Sequence, residues 1–245
     1  MPLKNYLFLI GGYDLEMLEI IQLLKKHKLQ YIDKQLTWGA KLSDYQDFFD
    51  SQGTIVGIEL VEDITCPKNY IALDHHNERA AEKAPIEQLA ELIGIELTYY
   101  QQLVAANDKG YIPAMRALGA TEEEVRLIRR RDRAAQGVTE EDEFWGEEAV
   151  ANLQWSKNVA IAYTQSERFS PVTDRLEVAK LLVYNDHELT YYGANIQHLS
   201  EYYADLVKAN KAYSGGGEMG FFGFSKKVFD KSELVLKIDE ISTLV

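Results

Sequence analysis

Two neighbouring histidines follow an aspartate at the end of a short apolar run. The run YIAL occupies residues 70–73, and Asp74, His75 and His76 come directly after it. Adjacent imidazole rings at the end of a strand contribute little to an apolar core. Imidazole nitrogens and carboxylate oxygens are, however, common ligands of divalent metal ions. The stretch therefore predicts a metal site.

Other acidic residues follow further apolar runs or lie in polar stretches between helices. They are Asp14 and Glu16 after YLFLI, Glu59 in TIVGIEL with Asp63 just beyond, and Asp108 in AANDKGY. Carboxylates mixed with imidazoles suit Mn²⁺, Zn²⁺ or Fe²⁺, whereas carboxylates alone suit Mg²⁺. The Asp-x-Glu spacing lets two carboxylates point towards neighbouring ions. Two such ions can hold the attacking and leaving oxygens of a phosphoryl transfer.

The elements that would position these residues form an α/β pattern. The runs 6–10, 29–33, 54–60 and 70–74 are typical of buried strands, and LEMLEIIQLLKKH between the first two has helical spacing. Strands that alternate with helices predict a parallel sheet, whose ligands bind beyond the carboxyl ends of the strands. The acidic residues and the histidines would therefore meet at one edge.

The order of helical and strand-like segments along the sequence predicts two domains. Residues 86–157 are mainly helical, and strand-like and helical segments return from about residue 158. We expect a parallel-sheet domain over residues 1–152 and a smaller α/β domain over 158–245, with the boundary near 150–158. In the second domain DRLEVAKLL is predicted to be a helix, YSGGGEMGFFGF a glycine-rich turn and ELVLKI a last strand.

Composition narrows the classes of partner. A formal net charge of −13 argues against duplex nucleic acid, but leaves a small anionic substrate in a metal-lined cleft. The basic stretch RLIRRRDR is interpreted as a solvated helix face. No apolar run reaches the length of about 18 residues that a membrane span needs. The start lacks a signal-peptide pattern, and a single cysteine, Cys66, fits a reducing compartment, so we expect a cytoplasmic protein without membrane partners.

The ordered set GGYDLE, an acidic strand end, DHH and a later lone aspartate resembles the DHH phosphoesterase superfamily, of which this chain would be a divergent member. That family includes RecJ-like exonucleases, nano-RNA and cyclic-dinucleotide phosphodiesterases, exopolyphosphatases and family II inorganic pyrophosphatases. The stretch YSGGGEMGFFGF is similar to the substrate-binding loop of the associated C-terminal domain. The resemblance implies a hydrolase that uses Mn²⁺ or Mg²⁺, with one or two ions per chain. Its substrate would be a small phosphorylated anion, such as a nucleotide or a short single-stranded oligonucleotide.

The resemblance also implies roles for individual residues. Asp14 would bind one ion, and Glu16, His75 and Asp108 the other. A carboxylate of the third strand would bridge the two ions, and Glu59 is preferred to Asp63 for this role because it lies in the strand itself. His76 would act on the substrate phosphate as hydrogen-bond donor or acid, with Asp74 orienting the imidazole rings. Gly215, Gly216 and Gly217 would bind the substrate.

The sequence departs from the family pattern at its first motif. The histidine expected four residues before Asp14 is replaced by Ile10, with Gly11 next, and glutamates stand at 16 and 59 where aspartates are usual. We therefore predict at most one tightly bound ion per chain. The departures favour an alternative, a degenerate family member that binds nucleotide or phosphate as a sensor or assembly module. A further alternative is an exopolyphosphatase or pyrophosphatase.

Simpler interpretations of the same residues also stand. Asp14 and Glu16 fit a helix N-cap and a first-turn acid, and both roles are compatible with metal binding. Asp108 fits a turn in NDKG, and the three glycines fit a turn without a ligand.

Overall fold

The computed structural model describes residues 5–51 and 53–245, except for the side chain of Glu218, and it divides into two compact units. The N-terminal unit ends at Gly137 and the C-terminal unit is Val138–Val245. The division lies earlier than the predicted boundary near residues 150–158. The helix Glu140–Ala151 belongs to the C-terminal unit because it packs closely against Pro171 at Gly146 and pairs with Arg175 through Glu143.

The N-terminal unit is an α/β structure with a parallel sheet, as predicted. In chain order its elements are β1 (Tyr6–Ile10), α1 (Leu15–Lys26), β2 (Gln30–Ile32), β3 (Thr54–Ile58), β4 (Tyr70–Leu73), α2 (Pro85–Ile93), α3 (Tyr99–Ala117) and α4 (Glu122–Ala135). The strand order is β2-β1-β3-β4, and every neighbouring pair is parallel. The carboxyl ends of all these strands therefore lie at one edge.

Both faces of this sheet are covered. On one face Phe8 and Val56 pack with α1 and α2, and on the other Leu9 and Ile55 pack with a 3-10 helix, Leu42–Phe48. Burial on both faces explains why β1 and β3 are continuous apolar runs and not alternating ones. Tight packing on both sides fixes the strand ends, from which the acidic side chains project.

Helix α3 is kinked. It runs from Tyr99 to Ala117 with a kink at Gly110 and Tyr111, where the backbone leaves helical geometry. Thr98 caps its start by accepting a hydrogen bond from the backbone of Gln101.

Within residues 5–51 and 53–245 no helix has the length and apolar character needed to cross a membrane.

The C-terminal unit is a second α/β structure around a mixed sheet. Its elements are α5 (Glu140–Ala151), β5 (Gln154–Ser156), β6 (Val159–Tyr163), α6 (Ser170–Thr173), β7 (Lys180–Tyr184), β8 (Leu189–Gly193), α7 (Ile196–Tyr202), α8 (Ala204–Lys208), β9 (Ala212–Gly215), β10 (Gly220–Phe224) and α9 (Lys231–Leu244). The strand order is β5-β6-β7-β8-β10-β9, with β6 and β7 parallel and the other neighbours antiparallel.

Two predicted elements of this unit were wrong. The segment DRLEVAKLL, residues 174–182, forms no helix: residues 174–179 are turn and irregular structure, and its last three residues begin β7, a strand between β6 and β8. The segment ELVLKI lies in helix α9 and not in a strand. Asp230 caps this helix in a reciprocal capping box with Glu233, and Leu234, Ile238 and Ile241 bury one helical face.

Candidate metal centre

The predicted site residues of the N-terminal unit lie around the carboxyl edge of its sheet. Asp14 and Glu16 open α1 after β1, Glu59 follows β3, and the histidines follow β4. Asp108 comes to the same place from helix α3 and not from a strand end or a turn, so its interpretation as a turn residue was wrong. The residues thus converge from four different segments of the chain.

Four buried side-chain atoms at this edge have no hydrogen-bond partner among the described residues. They are Oε2 of Glu16, Oε1 of Glu59, Nε2 of His75 and Oδ2 of Asp108, and we call these four residues the donor group. Nε2 of His75 lies 2.8 Å from Oδ2 of Asp108 and 3.5 Å from Oε1 of Glu59, although neither approach has hydrogen-bond geometry. Unpartnered buried polar atoms are costly, so their convergence indicates a missing partner.

The carboxylates of the donor group are close enough to share one ion. Ligand oxygens of Glu16, Glu59 and Asp108 all lie within 4.8 Å of one another. Ligands about 2.1 Å from a common ion can be separated by up to about 4.2 Å, so small side-chain adjustments would complete the shell. Three carboxylates with one imidazole form a donor set that fits Mn²⁺, Fe²⁺ or Zn²⁺.

The charges of this edge are poorly balanced without a cation. Burial, reinforced by the charges of Asp108 and Glu59, raises the pKa of Glu16 well above its usual range. Burial also raises the pKa of Asp14 to about 7, with further contributions from Glu59 and Asp108. Asp108 and Glu59 in turn raise the pKa of His75 to about 10. The metal-free site therefore compensates its negative charge with protons, which a divalent cation would displace.

Glu59 reaches the donor group through an unusual backbone conformation. The prediction placed it within the strand, but β3 ends at Ile58 and Glu59 follows with a φ of 51°. Its backbone N–H donates to the carbonyl of Leu73 at the end of β4. The facing residue is Gly11, where a Cβ atom would lie 2.4 Å from the carbonyl oxygen of Glu59. Glycine at position 11 thus permits the close approach that aims Glu59 inwards.

Asp63, the alternative to Glu59, lies outside the donor group. Its carboxylate accepts hydrogen bonds from the backbone and the hydroxyl of Ser43, at 3.0 and 2.7 Å. These bonds hold the pKa of Asp63 below its ordinary value. The structure therefore brings Glu59, and not Asp63, to the histidines.

The two histidines share one neighbour, Glu59, and each has a further carboxylate of its own. Nε2 of His75 lies 2.8 Å from Asp108 and 3.5 Å from Glu59, whereas Nδ1 of the more exposed His76 lies 2.9 Å from Oδ1 of Asp74 and 3.7 Å from Oε1 of Glu59. Asp74 also accepts hydrogen bonds from the backbone of His76 and, at 3.3 Å, from Arg79. Burial opposes ionisation of Asp74, but the hydrogen bonds from His76 hold its pKa below the usual value. The expected orienting contact of Asp74 is thus found for His76.

Asp14 has a structural partner of its own. Its Oδ1 accepts a hydrogen bond of 2.8 Å from the backbone of Met17, so it caps α1 as the simpler interpretation proposed. Ile10, at the position where the DHH pattern has a histidine, is fully buried in the apolar core with Phe8 and Val56. Neither Ile10 nor Gly11 offers a ligand atom from its side chain.

Part of the basic stretch of α4 is buried, which corrects the prediction of a solvated face. Arg129 and Arg133 are almost fully buried, at 6% and 4% exposure. Arg129 contacts Asp132 at 2.5 Å, and Asp132 accepts a hydrogen bond of 3.2 Å from the backbone of Leu15. The basic helix therefore anchors the start of α1 and the acidic residues that begin it. A long-range contact of this kind has no local sequence signal.

The glycine-rich stretch forms the hairpin between β9 and β10. Gly216 and Gly217 have φ values of 78° and 69°, in the left-handed region that favours glycine. Gly215 and Gly217 also line a pocket of about 880 Å³ within the C-terminal unit, together with His198, Ser200 and other polar residues. Turn geometry explains these glycines, and the pocket gives a place for the substrate contact that the resemblance implies.

Sequence reasoning missed two residues near the metal centre. Arg79 and Trp38 line a pocket of about 510 Å³ together with Glu59, Asp74 and His76. Arg79 follows DHH by only three residues, which could have been noticed. Trp38 lies far from every motif in sequence, between β2 and β3, so only the fold shows its proximity.

Comparisons with known proteins give matches at the level of structure. No family model and no curated protein matches the sequence. The chain is similar to a pGpG-specific phosphodiesterase from Vibrio cholerae, with 12% identity, a TM-score of 0.49, and coverage of 98% of this chain and 99% of that one. The DHH domain of a member of the S1p family of ribosomal proteins matches with 12% identity, a TM-score of 0.49, and 99% and 87% coverage.

RecJ from Thermus thermophilus, solved with Mn²⁺, matches with 8% identity and a TM-score of 0.43. This match covers 97% of the chain and 51% of RecJ, so the chain spans about half of that protein. At such low identity the chemistry of this chain has to be argued from its own side chains.

Proposed function

We propose that this protein is a metal-dependent phosphoesterase that hydrolyses a small phosphorylated substrate, such as a nucleotide, a short oligonucleotide or a related phosphoester. The observation that carries the proposal is the donor group: ligand oxygens of Glu16, Glu59 and Asp108 lie within 4.8 Å of one another, and Nε2 of His75 lies 2.8 Å from Asp108 and 3.5 Å from Glu59. A single divalent ion, Mn²⁺ or Mg²⁺, would satisfy them together.

The residues around the donor group fit work on a phosphate ester. When bound, a divalent ion lowers the pKa of a coordinated water and offsets charge on phosphoryl oxygens. His76 is oriented through its Nδ1 by Asp74, which leaves Nε2 to donate a hydrogen bond or a proton to the substrate. Arg79, held by Asp74 and Glu62, adds a cation on the pocket wall for an anionic oxygen.

The hairpin glycines are proposed to bind substrate as well. Gly217 allows a clean test, because among the described residues no atom lies within 4 Å of a Cβ built there. The substitution Gly217→Asn keeps a residue that tolerates a positive φ but adds a side chain in the pocket. We expect a higher KM with unchanged metal content, and an unchanged KM would remove the hairpin from the proposal.

Hydrolysis of a phosphodiester tests the proposed function. The purified chain is incubated with Mn²⁺ and either bis-p-nitrophenyl phosphate or a dinucleotide, and product release is followed. Wild type stripped of metal should release product only after metal is added, and His75→Asn and Asp108→Asn should abolish the release. Asp63→Asn is the matched control, since it removes a nearby carboxylate that is outside the donor group and should retain full activity.

A binding protein without turnover is the second candidate, and Ile10 favours it. A fully buried isoleucine at the position of the family's histidine leaves the Asp14 region without that ligand. Such a protein would bind nucleotide with metal but release no product in the assay. Saturable nucleotide binding without any hydrolysis would favour a binding protein over an enzyme.

A further inference from the structure

Trp38 is the most exposed large apolar side chain of the described residues, with 89% of its surface accessible. An indole ring left in water forgoes the burial that normally stabilises tryptophan. A single exposed apolar residue is common on protein surfaces, but apolar surface that lines a groove marks a binding site. The surroundings of Trp38 therefore decide whether a ligand would cover it.

Trp38 lines a pocket that is also lined by residues of the metal centre. The volume of this pocket, about 510 Å³, lies within the range of pockets that hold nucleotide-sized ligands. The same pocket is lined by Glu59 of the donor group, by His76 and by Arg79. A substrate whose phosphate meets His76 and Arg79 would therefore extend towards Trp38.

The backbone holds Trp38 in a fixed relation to the metal centre. The segment that carries it is joined to the segment after Glu59 by two hydrogen bonds, from Val61 to the carbonyl of Ala40 and from Leu42 to the carbonyl of Val61. On its other side, a Cβ atom built on Gly12 would lie 3.8 Å from the Cα atom of Trp38. The backbone at Trp38 thus lies close to both motifs that supply acidic residues.

We propose that Trp38 is a specificity-determining residue, and that its indole stacks against the planar base of a nucleotide whose phosphate lies at the metal centre. This inference rests on the proposed function, and it names the part of the substrate that binds beyond the phosphate. Stacking suits any base, because each presents a flat π face and requires no particular hydrogen-bonding edge. Inorganic polyphosphates offer no such ring.

The kinetic test compares a dinucleotide with an abasic analogue that carries the same phosphates. Trp38→Ala should raise KM for the dinucleotide by about 5- to 150-fold, with kcat nearly unchanged and with no effect on the abasic analogue. Trp38→Phe, which keeps a flat ring, should recover most of the loss. Trp155→Ala is the control, because Trp155 is an exposed tryptophan of the C-terminal unit, at 58% exposure.

A dinucleotide KM that is equal in wild type and Trp38→Ala overturns the inference while leaving the hydrolase intact. Absence of hydrolysis in every form, wild type included, overturns the proposed function instead. Fluorescence then still tests Trp38: a nucleoside monophosphate with Mn²⁺ should quench wild type, and the quenching should disappear in Trp38→Phe. Ribose 5-phosphate should leave the emission unchanged. Quenching that is equal in both proteins, or absent from both, also overturns the inference.

Discussion

The donor group and the region around Asp14 lie at one edge of the same sheet, but their carboxylates have different partners. Oε2 of Glu16, Oε1 of Glu59 and Oδ2 of Asp108 are buried without a hydrogen bond among the described residues, although Oε1 of Glu16 accepts one from the backbone of Ile86. In Asp14, by contrast, no oxygen is both buried and unbonded within the described residues, and its Oδ1 accepts a hydrogen bond from the backbone of Met17. Close to Asp14, the side chain of Ile10 faces the apolar core. A carboxylate near a metal site is thus not equivalent to a ligand. Its capacity depends on whether the local structure already satisfies its oxygens.

The largest expected effect comes from removing a donor. Asp108→Asn keeps the shape of the side chain but replaces a ligand oxygen by an amide, so the ion should be lost and turnover should fall by about 100-fold or more. Metal content after dialysis and the rate with added Mn²⁺ measure the two effects. Asp63→Asn controls for the lost charge. Retained metal in Asp108→Asn would remove Asp108 from the donor group.

A second substitution tests whether position 10, close to Asp14, can supply a metal ligand. Ile10→His restores the residue type of the family motif, but it places an imidazole in an apolar core. We expect a loss of about 2–4 kcal/mol in the free energy of unfolding and no second tightly held ion. Ile10→Val, the size control, should cost about 0.5–1.5 kcal/mol. A stable Ile10→His variant that holds a second ion would show that the position still serves as a ligand site.

The free energy of unfolding of the metal-free protein should depend on pH, and this effect should be smaller than those of the two substitutions above. The folded state holds protons on Asp14, whose pKa is raised to about 7, and on Glu16, whose pKa is also raised, whereas the unfolded chain releases them at ordinary carboxyl values. This contribution to stability is therefore present at acidic pH and lost as the pH rises through about 7. His75, whose pKa is raised to about 10, contributes to the pH dependence of stability with the same sign.

Denaturant unfolding between about pH 5.5 and pH 8 measures this dependence, since Asp74 with its lowered pKa stays ionised there. The metal-free protein should lose stability as the pH increases, and Mn²⁺ should restore it most at the upper end. Glu16→Gln should flatten the metal-free profile. A metal-free protein that gains stability with increasing pH would contradict the assigned electrostatics.

The smallest effect is expected at Asp14. Asp14→Asn keeps a good N-cap, and Asp14→Ala removes the cap, so the alanine variant should be less stable than the asparagine variant by about 1 kcal/mol. Both should retain the tightly bound ion of the donor group. Loss of that ion in Asp14→Asn would show that the two regions form one inseparable site.

Much of the N-terminal unit could be predicted because its central strands, β1 and β3, are buried on both faces. Continuous apolar runs identify β1, β3 and β4, and parallel strands bring their carboxyl ends together. The gathering of Glu16, Glu59 and His75 follows from that arrangement. The sequence-based analysis therefore located the edge and most of the donor group.

Other features depend on contacts between distant parts of the chain. The burial of Arg129 depends on Asp132 and its bond to Leu15, and the proximity of Trp38 depends on the pairing of Val61 with Ala40. Short apolar segments are also ambiguous, and ELVLKI became helix α9 because Asp230 caps it and its apolar residues share one face. The left-handed backbone of Glu59 had no composition signal at all.

Metal analysis of dialysed protein tests the central claim most directly. The chain is loaded with Mn²⁺, dialysed against metal-free buffer at neutral pH, and its retained metal is measured per chain. The donor group predicts one retained equivalent in wild type and none in His75→Asn. Two retained equivalents would contradict the contrast between the donor group and the Asp14 region, and no retained metal would contradict the donor group itself.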